Sequence, residues 1–340
     1  MSKLLLTLDG GGIRGAATTQ FLLRIDQALQ AQHGRALRDC VHFYAGTSTG
    51  SIIALALGTT SLSLGVLNDL YGEASAQAIF KENRGWFEID GVNAPRYEAE
   101  GKASVLEREF GEARLGYVHE GKHVLAVAYA VEQRKPQVLK STDPSHRELL
   151  SWQVADGSSA APTYFPTRPL TQDGTEQWLV DGGVIANNPT LCAVAEVRRA
   201  WPGYGLEDVR VLSVGTGYRT RKINGPASRK WGALGWVTQG HLVDLLADER
   251  VVAYQARNLL PAGAYIRVNA ELAPQPGLSE APDDAMDDIS EGNIRHLKAL
   301  GDFWFDAYDE AALALLVDRY GGPSLERIDV TTGRPREVLA

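Results

Sequence analysis

The sequence predicts an α/β fold, a mostly parallel central sheet sandwiched by helices, with a small cap insertion. Three observations carry that expectation. A strand–turn–helix pattern with a glycine-rich turn occurs twice in the first sixty residues, as in parallel sheets covered on both faces. Apolar residues at 44% and charged residues at 22% exclude disorder, collagen and coiled coil as the main class. A chain of 340 residues can bury about three quarters of its unfolded surface, so it needs no disulfide or metal staple.

The elements follow in order. Residues 3–8 read as a buried strand that runs into Asp9-Gly-Gly-Gly-Ile-Arg-Gly15. A helix is expected over about 16–32, where Phe21, Leu22, Ile25, Ala28 and Leu29 recur at helical spacing. Residues 41–45 form a second strand, closing on Gly46-Thr-Ser-Thr-Gly50, and 51–57 continue as an apolar helix. Residues 59–120 are irregular, with a short helix at about 103–110, and so long a stretch between strands reads as a cap. Residues 124–130 and 136–140 form a strand pair, 149–160 a helix, and 177–180 a strand entering Asp181-Gly-Gly183. Asn188-Pro189 opens a helix over 190–200, with proline at the first turn. Residues 209–214 are a buried strand ending in Gly215-Thr-Gly217. A basic loop (218–240), a helix (about 241–259), a strand (265–268), a Pro- and Asp-rich connector (270–288) and a long helix (about 290–319) complete the chain.

Charge and cysteine content narrow the function classes. The formal charge of −8 argues against a general nucleic-acid binder, whose affinity rests on Lys and Arg at phosphates. Cys40 and Cys192 fit a reduced, cytosolic setting and cannot form a disulfide framework or a four-cysteine zinc site. The apolar start, Leu4 to Leu8, runs straight into Asp9 and does not read as a secretory signal. No stretch approaches the roughly 18 apolar residues of a spanning helix, so the chain is expected to be soluble or peripheral.

Three motifs carry chemistry. Gly46-Thr-Ser48-Thr-Gly50 places a serine in a tight elbow between strand and helix. Small residues on either side allow the turn, and the hydroxyl projects at the carboxyl end of the sheet before a helix amino terminus. The plain alternative is a glycine-rich turn with Ser48 as a helix cap. Gly10-Gly11-Gly12 exposes backbone amides that can hold an oxyanion, with Arg14 close by. Gly10-x-Gly12-x-x-Gly15 also matches a dinucleotide fingerprint, but strand two ends in Ala45-Gly46-Thr47-Ser48 and lacks the acid that fingerprint requires. Asp181, before Gly182 and Gly183, sits at a strand end where its carboxylate can take the proton of Ser48 as general base. The plain reading of Asp181 is a turn cap. The seven histidines are His33, His42, His119, His123, His146, His241 and His296; a Ser…Asp…His order needs His241 or His296, and neither sits in a glycine-rich or strand-end context, so each reads as a surface or capping histidine. No metal-ligand spacing occurs, and no metal or cofactor is expected.

Taken in this order and spacing, the three motifs resemble the patatin-like phospholipase family. Ser158-Ser-Ala-Ala-Pro-Thr-Tyr-Phe-Pro166, Asn187-Asn-Pro189 and Ser213-Val-Gly-Thr-Gly217 add to the likeness, which covers residues 3–200 well and extends more loosely to about 320. The resemblance implies a three-layer α/β/α domain over 3–200 including the cap at 59–120, continued over 201–320, with 321–340 as a tail. It also implies a Ser–Asp dyad lipid acyl hydrolase: Ser48 as nucleophile, Asp181 as base, and amides near Gly11, Gly12 and Thr49 as oxyanion hole. The family's third motif is often Asp-Gly-Ala; here the third residue is Gly183, which leaves the base assignment intact.

A lipid hydrolase must reach a bilayer. Trp86 and Phe87 in the cap, and Trp231 and Trp236 in the basic loop, are the expected apolar contacts. Arg219, Arg221, Lys222, Arg229 and Lys230 cluster on an acidic protein, either as a solvated loop or as a phosphate site for a headgroup or soluble nucleotide. This short, bacterial-looking form resembles the patatin-like effectors of cyclic-oligonucleotide antiphage systems. That resemblance implies a cyclic di- or oligonucleotide activator, a cytoplasmic protein that meets the inner membrane when active, and a homo-oligomer as an open option. A soluble esterase or thioesterase, a dinucleotide-binding protein using Gly10–Gly15 and a pseudoenzyme scaffold are the competing readings.

Overall fold

Among the described residues, ten strands form one sheet: β1 (Lys3–Leu8), β2 (Phe43–Thr47), β3 (His123–Ala130), β4 (Lys135–Lys140), β5 (Arg168–Gln172), β6 (Thr175–Asp181), β7 (Val209–Val214), β8 (Tyr265–Val268), β9 (Ser324–Asp329) and β10 (Arg334–Val338). They come from a computed structural model that describes residues 2–83, 94–239 and 248–338. The order is β10-β9-β8-β7-β1-β2-β3-β6-β5, with β4 paired to β3. The run from β9 to β3 is parallel, and antiparallel pairs lie at both flanks. Parallel strands buried on both faces read as continuous apolar runs. In β1, Leu4, Leu6 and Leu8 enter the core on one face and Leu5 the core on the other.

Helices α1 (Gly15–His33), α2 (Thr49–Thr59) and the long α9 (Glu291–Leu316) pack into the first core. Helices α7 (Thr190–Ala200) and α8 (Arg250–Leu259) cover the other face. Helices α3 (Leu64–Asp69), α4 (Glu73–Ile79), α5 (Ala99–Phe110) and α6 (Ser151–Ser158) extend the first core, so the cap is continuous with the sheet domain.

Several elements differ from expectation. Strand β2 begins at Phe43, because Leu37–Cys40 form a helical turn closed by the Val41 N–H on the Leu37 carbonyl. Among its described residues the cap holds three α-helices where a helix only at 103–110 is expected. Strand β5 was not expected: its Pro169 suits an edge strand, where one ladder donor can be missing. Residues 324–338, expected within a tail, form a hairpin that joins the sheet and buries Leu325 and Ile328. Of the helix expected from about 241, Arg250–Leu259 is seen; His241 lies outside the described residues, as do Trp86 and Phe87.

One topological feature positions everything that follows. Strand β2 runs parallel to β3 and pairs Thr47 with Val127. Strand β6 runs antiparallel to β3 and pairs Asp181 with Ala128. Strand β4 fills the other edge of β3. Strands β2 and β6 therefore meet end to end along one edge, and β3 splints them so that their last residues occupy adjacent rungs.

Candidate active site

Ser48 follows β2 at that junction with φ 54° and ψ −126°, a conformation that costs a non-glycine residue about 1–3 kcal/mol. The surroundings hold it there. Its N–H donates to Ser158 Oγ at 3.1 Å, and its carbonyl accepts from Ser51 N–H at 2.9 Å and Ser51 Oγ at 2.6 Å. Gly50 lets α2 start against β1: a Cβ there would lie 2.1 Å from the Leu8 carbonyl oxygen.

Asp181 ends β6 opposite. Ser48 Oγ donates to Asp181 Oδ2 at 2.5 Å, and Gly183 N–H donates to Oδ1 at 2.6 Å. Both side chains are buried, Ser48 at 8% exposure and Asp181 at 5%. Burial pushes the Asp181 carboxyl up to about 6, opposed by the Ser48 hydrogen bond, the Gly183 amide and the charge of Lys102. Thr47 Oγ1 donates to the Ala186 carbonyl at 2.7 Å and ties the turn after Asp181 back to β2.

The glycine-rich turn lies beside this pair. Asp9 anchors it through the buried guanidinium of Arg267 on β8. Asn187 accepts the Gly10 N–H, and Thr216 Oγ1 donates to the Gly10 carbonyl at 2.8 Å. Gly12 has φ 60°, and a Cβ there would lie 2.2 Å from the Met286 carbonyl oxygen. Close protein packing thus accounts for these glycines, which speaks against the dinucleotide reading. Among the described residues, the amides of Gly11, Gly12 and Thr49 donate to no protein acceptor. Arg14 braces the turn from its flank: its Nε donates to the Gly11 carbonyl at 3.2 Å and Nη1 to that of Gly217 at 3.4 Å.

Two chambers open beside the turn. The first contains Ser48 and is walled by Leu70, Ile79, Phe80, Val105, Leu106 and Phe165, mostly from the cap. The second is polar; Arg14, Asn187, Arg219, Arg221, Arg250 and Asp284 line it. Tyr164 and Met286 border both. Gly12 faces the apolar chamber and Gly10 the polar one.

The remaining expected residues are placed as follows. Arg219 and Arg221 both pair with Asp284, and Arg219, Arg221, Lys222, Arg229 and Lys230 are all exposed. The rings of Trp231 and Trp236 meet edge to face at 5.5 Å. Among the described residues, no histidine lines the chamber at Ser48. His42 and His146 accept backbone N–H groups, and His296 meets Glu280 on the surface. Neither Arg267 nor the buried Lys102 is expected from the sequence, and Ser158 enters there without a role. A charge inside the apolar strand Tyr265-Ile-Arg-Val268 was the one available signal, because buried charges are paired.

A family model described as Patatin-like phospholipase matches residues 6–194. The chain is 29% identical to Patatin-like protein 3 of Arabidopsis thaliana over 71% of this chain and 65% of that protein. It is 27% identical to Patatin-like protein 2 of Oryza sativa subsp. indica over 98% of this chain and 87% of that protein. To the 85/88 kDa calcium-independent phospholipase A2 of Rattus norvegicus it is 30% identical over 65% of this chain. That match spans only 26% of the rat protein. Among solved structures, VipD of Legionella pneumophila matches 94% of this chain and 67% of its own, with 14% identity and a TM-score of 0.46.

Proposed function

Because the chain belongs to the patatin-like phospholipase family, a family of lipid acyl hydrolases of the phospholipase A type, we propose that it cleaves fatty-acyl esters of membrane phospholipids with Ser48 as nucleophile and Asp181 as base. The observation that supports this best is the 2.5 Å hydrogen bond between two buried side chains on opposed strand ends. An acid raised to about 6 is a better base at neutral pH than an ordinary aspartate.

In the first step Ser48 Oγ attacks the ester carbonyl carbon and its proton passes to Asp181 Oδ2. The amides of Gly11, Gly12 and Thr49 receive the oxyanion; one such donor is worth about 3 kcal/mol. The alkoxy bond breaks, and Asp181 returns the proton to the departing lysolipid alcohol. Water then attacks the acyl-serine, giving a proton to Asp181. Collapse frees the fatty acid, and Ser48 recovers its proton. The apolar chamber takes the acyl chain and the polar chamber the headgroup side. A short-chain esterase would gain little from a wall so uniformly apolar.

The chain meets a bilayer as a peripheral protein. Val184 and Ile185, exposed just after Asp181, join Trp231 and Trp236 as contacts. The cations at 219–230 serve as a phosphate site, for headgroups or for a cyclic oligonucleotide that switches activity on in bacterial antiphage defence at the inner membrane. The exposure of the segment supports this reading, and Asp284, which holds two of its arginines, is the competitor an incoming phosphate must displace.

Fatty-acid release from mixed phospholipid vesicles, with and without a panel of cyclic nucleotides, tests both levels. Release that Ser48→Ala abolishes supports the hydrolase. Healthy release that no cyclic nucleotide changes removes the regulatory part alone.

A further inference from the structure

Helix α5 of the cap carries a lysine into the interior. Lys102 is 2% exposed and lies in the wall of the apolar chamber, its ammonium 4.5 Å from the Phe165 ring. A lysine is almost never buried this far without partners. Its Nζ donates to the Asp156 carbonyl at 3.0 Å, the Ser159 carbonyl at 2.8 Å and Ser159 Oγ at 3.0 Å. Asp156 Oδ1 stands 3.2 Å away, and the other carboxylate oxygen binds Arg168. The carbonyls that Lys102 collects close α6, where a cation is favoured by the helix dipole.

The residues around Ser159 are the ones that hold the dyad. Ser158 Oγ accepts the Ser48 N–H at 3.1 Å, and the Ser158 carbonyl accepts the Gly182 N–H at 3.2 Å. The Ala160 carbonyl accepts the Asp181 N–H at 3.0 Å. Lys102 grips the residue between these two supports twice.

Building on the reading that Ser48 and Asp181 are catalytic, we propose that Lys102 is a positioning residue: from the cap it fixes the 158–160 segment that carries both dyad members, and it presents a positive charge to Asp181. The cap then wires the acyl chamber to the chemistry instead of merely covering it. The charged groups around the ammonium are Asp156 on α6, Arg168 on β5 and Asp181 on β6. Its charge favours ionised Asp181 against the opposing effect of burial. Removing the lysine leaves Asp156 its Arg168 partner, so that carboxylate is not stranded.

The test compares Lys102→Met and Lys102→Gln with wild type and Ser48→Ala on a soluble short-chain ester, measuring kcat, KM and melting across pH. Lys102→Met should lower kcat about 10- to 100-fold with little change in KM, the scale of a small misplacement. Both variants lose the charge, so the acid limb of kcat should move to higher pH in both. Lys102→Gln still offers donors to Ser159 and should recover part of kcat. Wild-type kcat with an unmoved limb in folded variants overturns the proposal. So does a loss of kcat that merely follows the loss of folded protein, with the limb unmoved. Should neither variant fold, Ser159→Ala, which removes one acceptor and keeps the charge, must lower kcat several-fold without moving the limb; unchanged kcat there overturns it too. Activity in Ser48→Ala would sink the dyad itself, a separate outcome.

Discussion

The two chambers beside the glycine turn differ in what builds them. The apolar one is walled by cap residues such as Leu70, Phe80, Val105 and Leu106, packed in continuity with the main core. The polar one is lined by arginines and acids from loops after β7 and β8, paired across the space as Arg219 and Arg221 are with Asp284. Burial of apolar surface is non-directional and scales with area, so the first can measure the length and bulk of a chain. Exposed ion pairs are worth at most about 1 kcal/mol and yield to salt, so the second can select charge only weakly and reversibly. A substrate that bridges the two would be gripped by its tail and sorted by its head, with the scissile bond at the turn between them.

The largest expected effect falls on that junction. Ser48→Ala should lower ester hydrolysis by about 10⁴-fold or more for every substrate, whichever chamber it uses. Asp181→Asn should come close to it. The folded value of Asp181, about 6, lies above its ordinary 3.8, so its ionised form opposes folding above about pH 6, and this opposition fades as pH falls toward 4. Asp181→Asn should therefore stabilise the fold by up to about 3 kcal/mol, most clearly above pH 6, and raise Tm accordingly. A calorimetric comparison at pH 8 and pH 5 checks the sign. Next comes Gly50→Ala, whose methyl group meets the Leu8 carbonyl; a loss of about 3 kcal/mol together with activity is expected, read by denaturant unfolding.

Two smaller effects sharpen the contrast between chambers. Ala76→Phe fills the apolar wall. It should cut kcat/KM for long-chain esters about tenfold or more while sparing short ones. Arg219→Gln with Arg221→Gln should change the preference for phospholipid over diacylglycerol only a few-fold and leave chain-length preference alone. Crossed results, a headgroup effect from Ala76→Phe or a chain-length effect from the arginines, would break the division of labour.

The junction was legible because its glycines answer to backbone contacts that only short motifs satisfy. Gly46-Thr-Ser-Thr-Gly50 and Asp181-Gly-Gly183 each name a turn, and β3 brings the turns together. The fold was legible where apolar runs were long, as in β1, β7 and α9. It was not legible in the short cap helices, in the edge strand β5 or in the terminal hairpin, where half-polar segments gain their structure from neighbours. Lys102, set between Gly101 and Ala103, looks like any solvent-facing helix residue; its partners Asp156 and Ser159 are more than fifty residues away. The basic cluster was legible as a cluster, but its pairing was not. Five cations are visible in one line of sequence, while the carboxylate that pairs with two of them, Asp284, arrives some sixty residues later.

Hydrolysis by this chain, as proposed, depends most on Asp181 activating Ser48, and the rate at which a fluorophosphonate labels the protein, followed by mass across pH, tests it directly. Wild type should take one label on Ser48, with a rate that climbs through a limb near pH 6. Asp181→Asn should label far more slowly, without that limb. Equal rates in the two proteins, or a label that settles on a residue other than Ser48, would contradict the account.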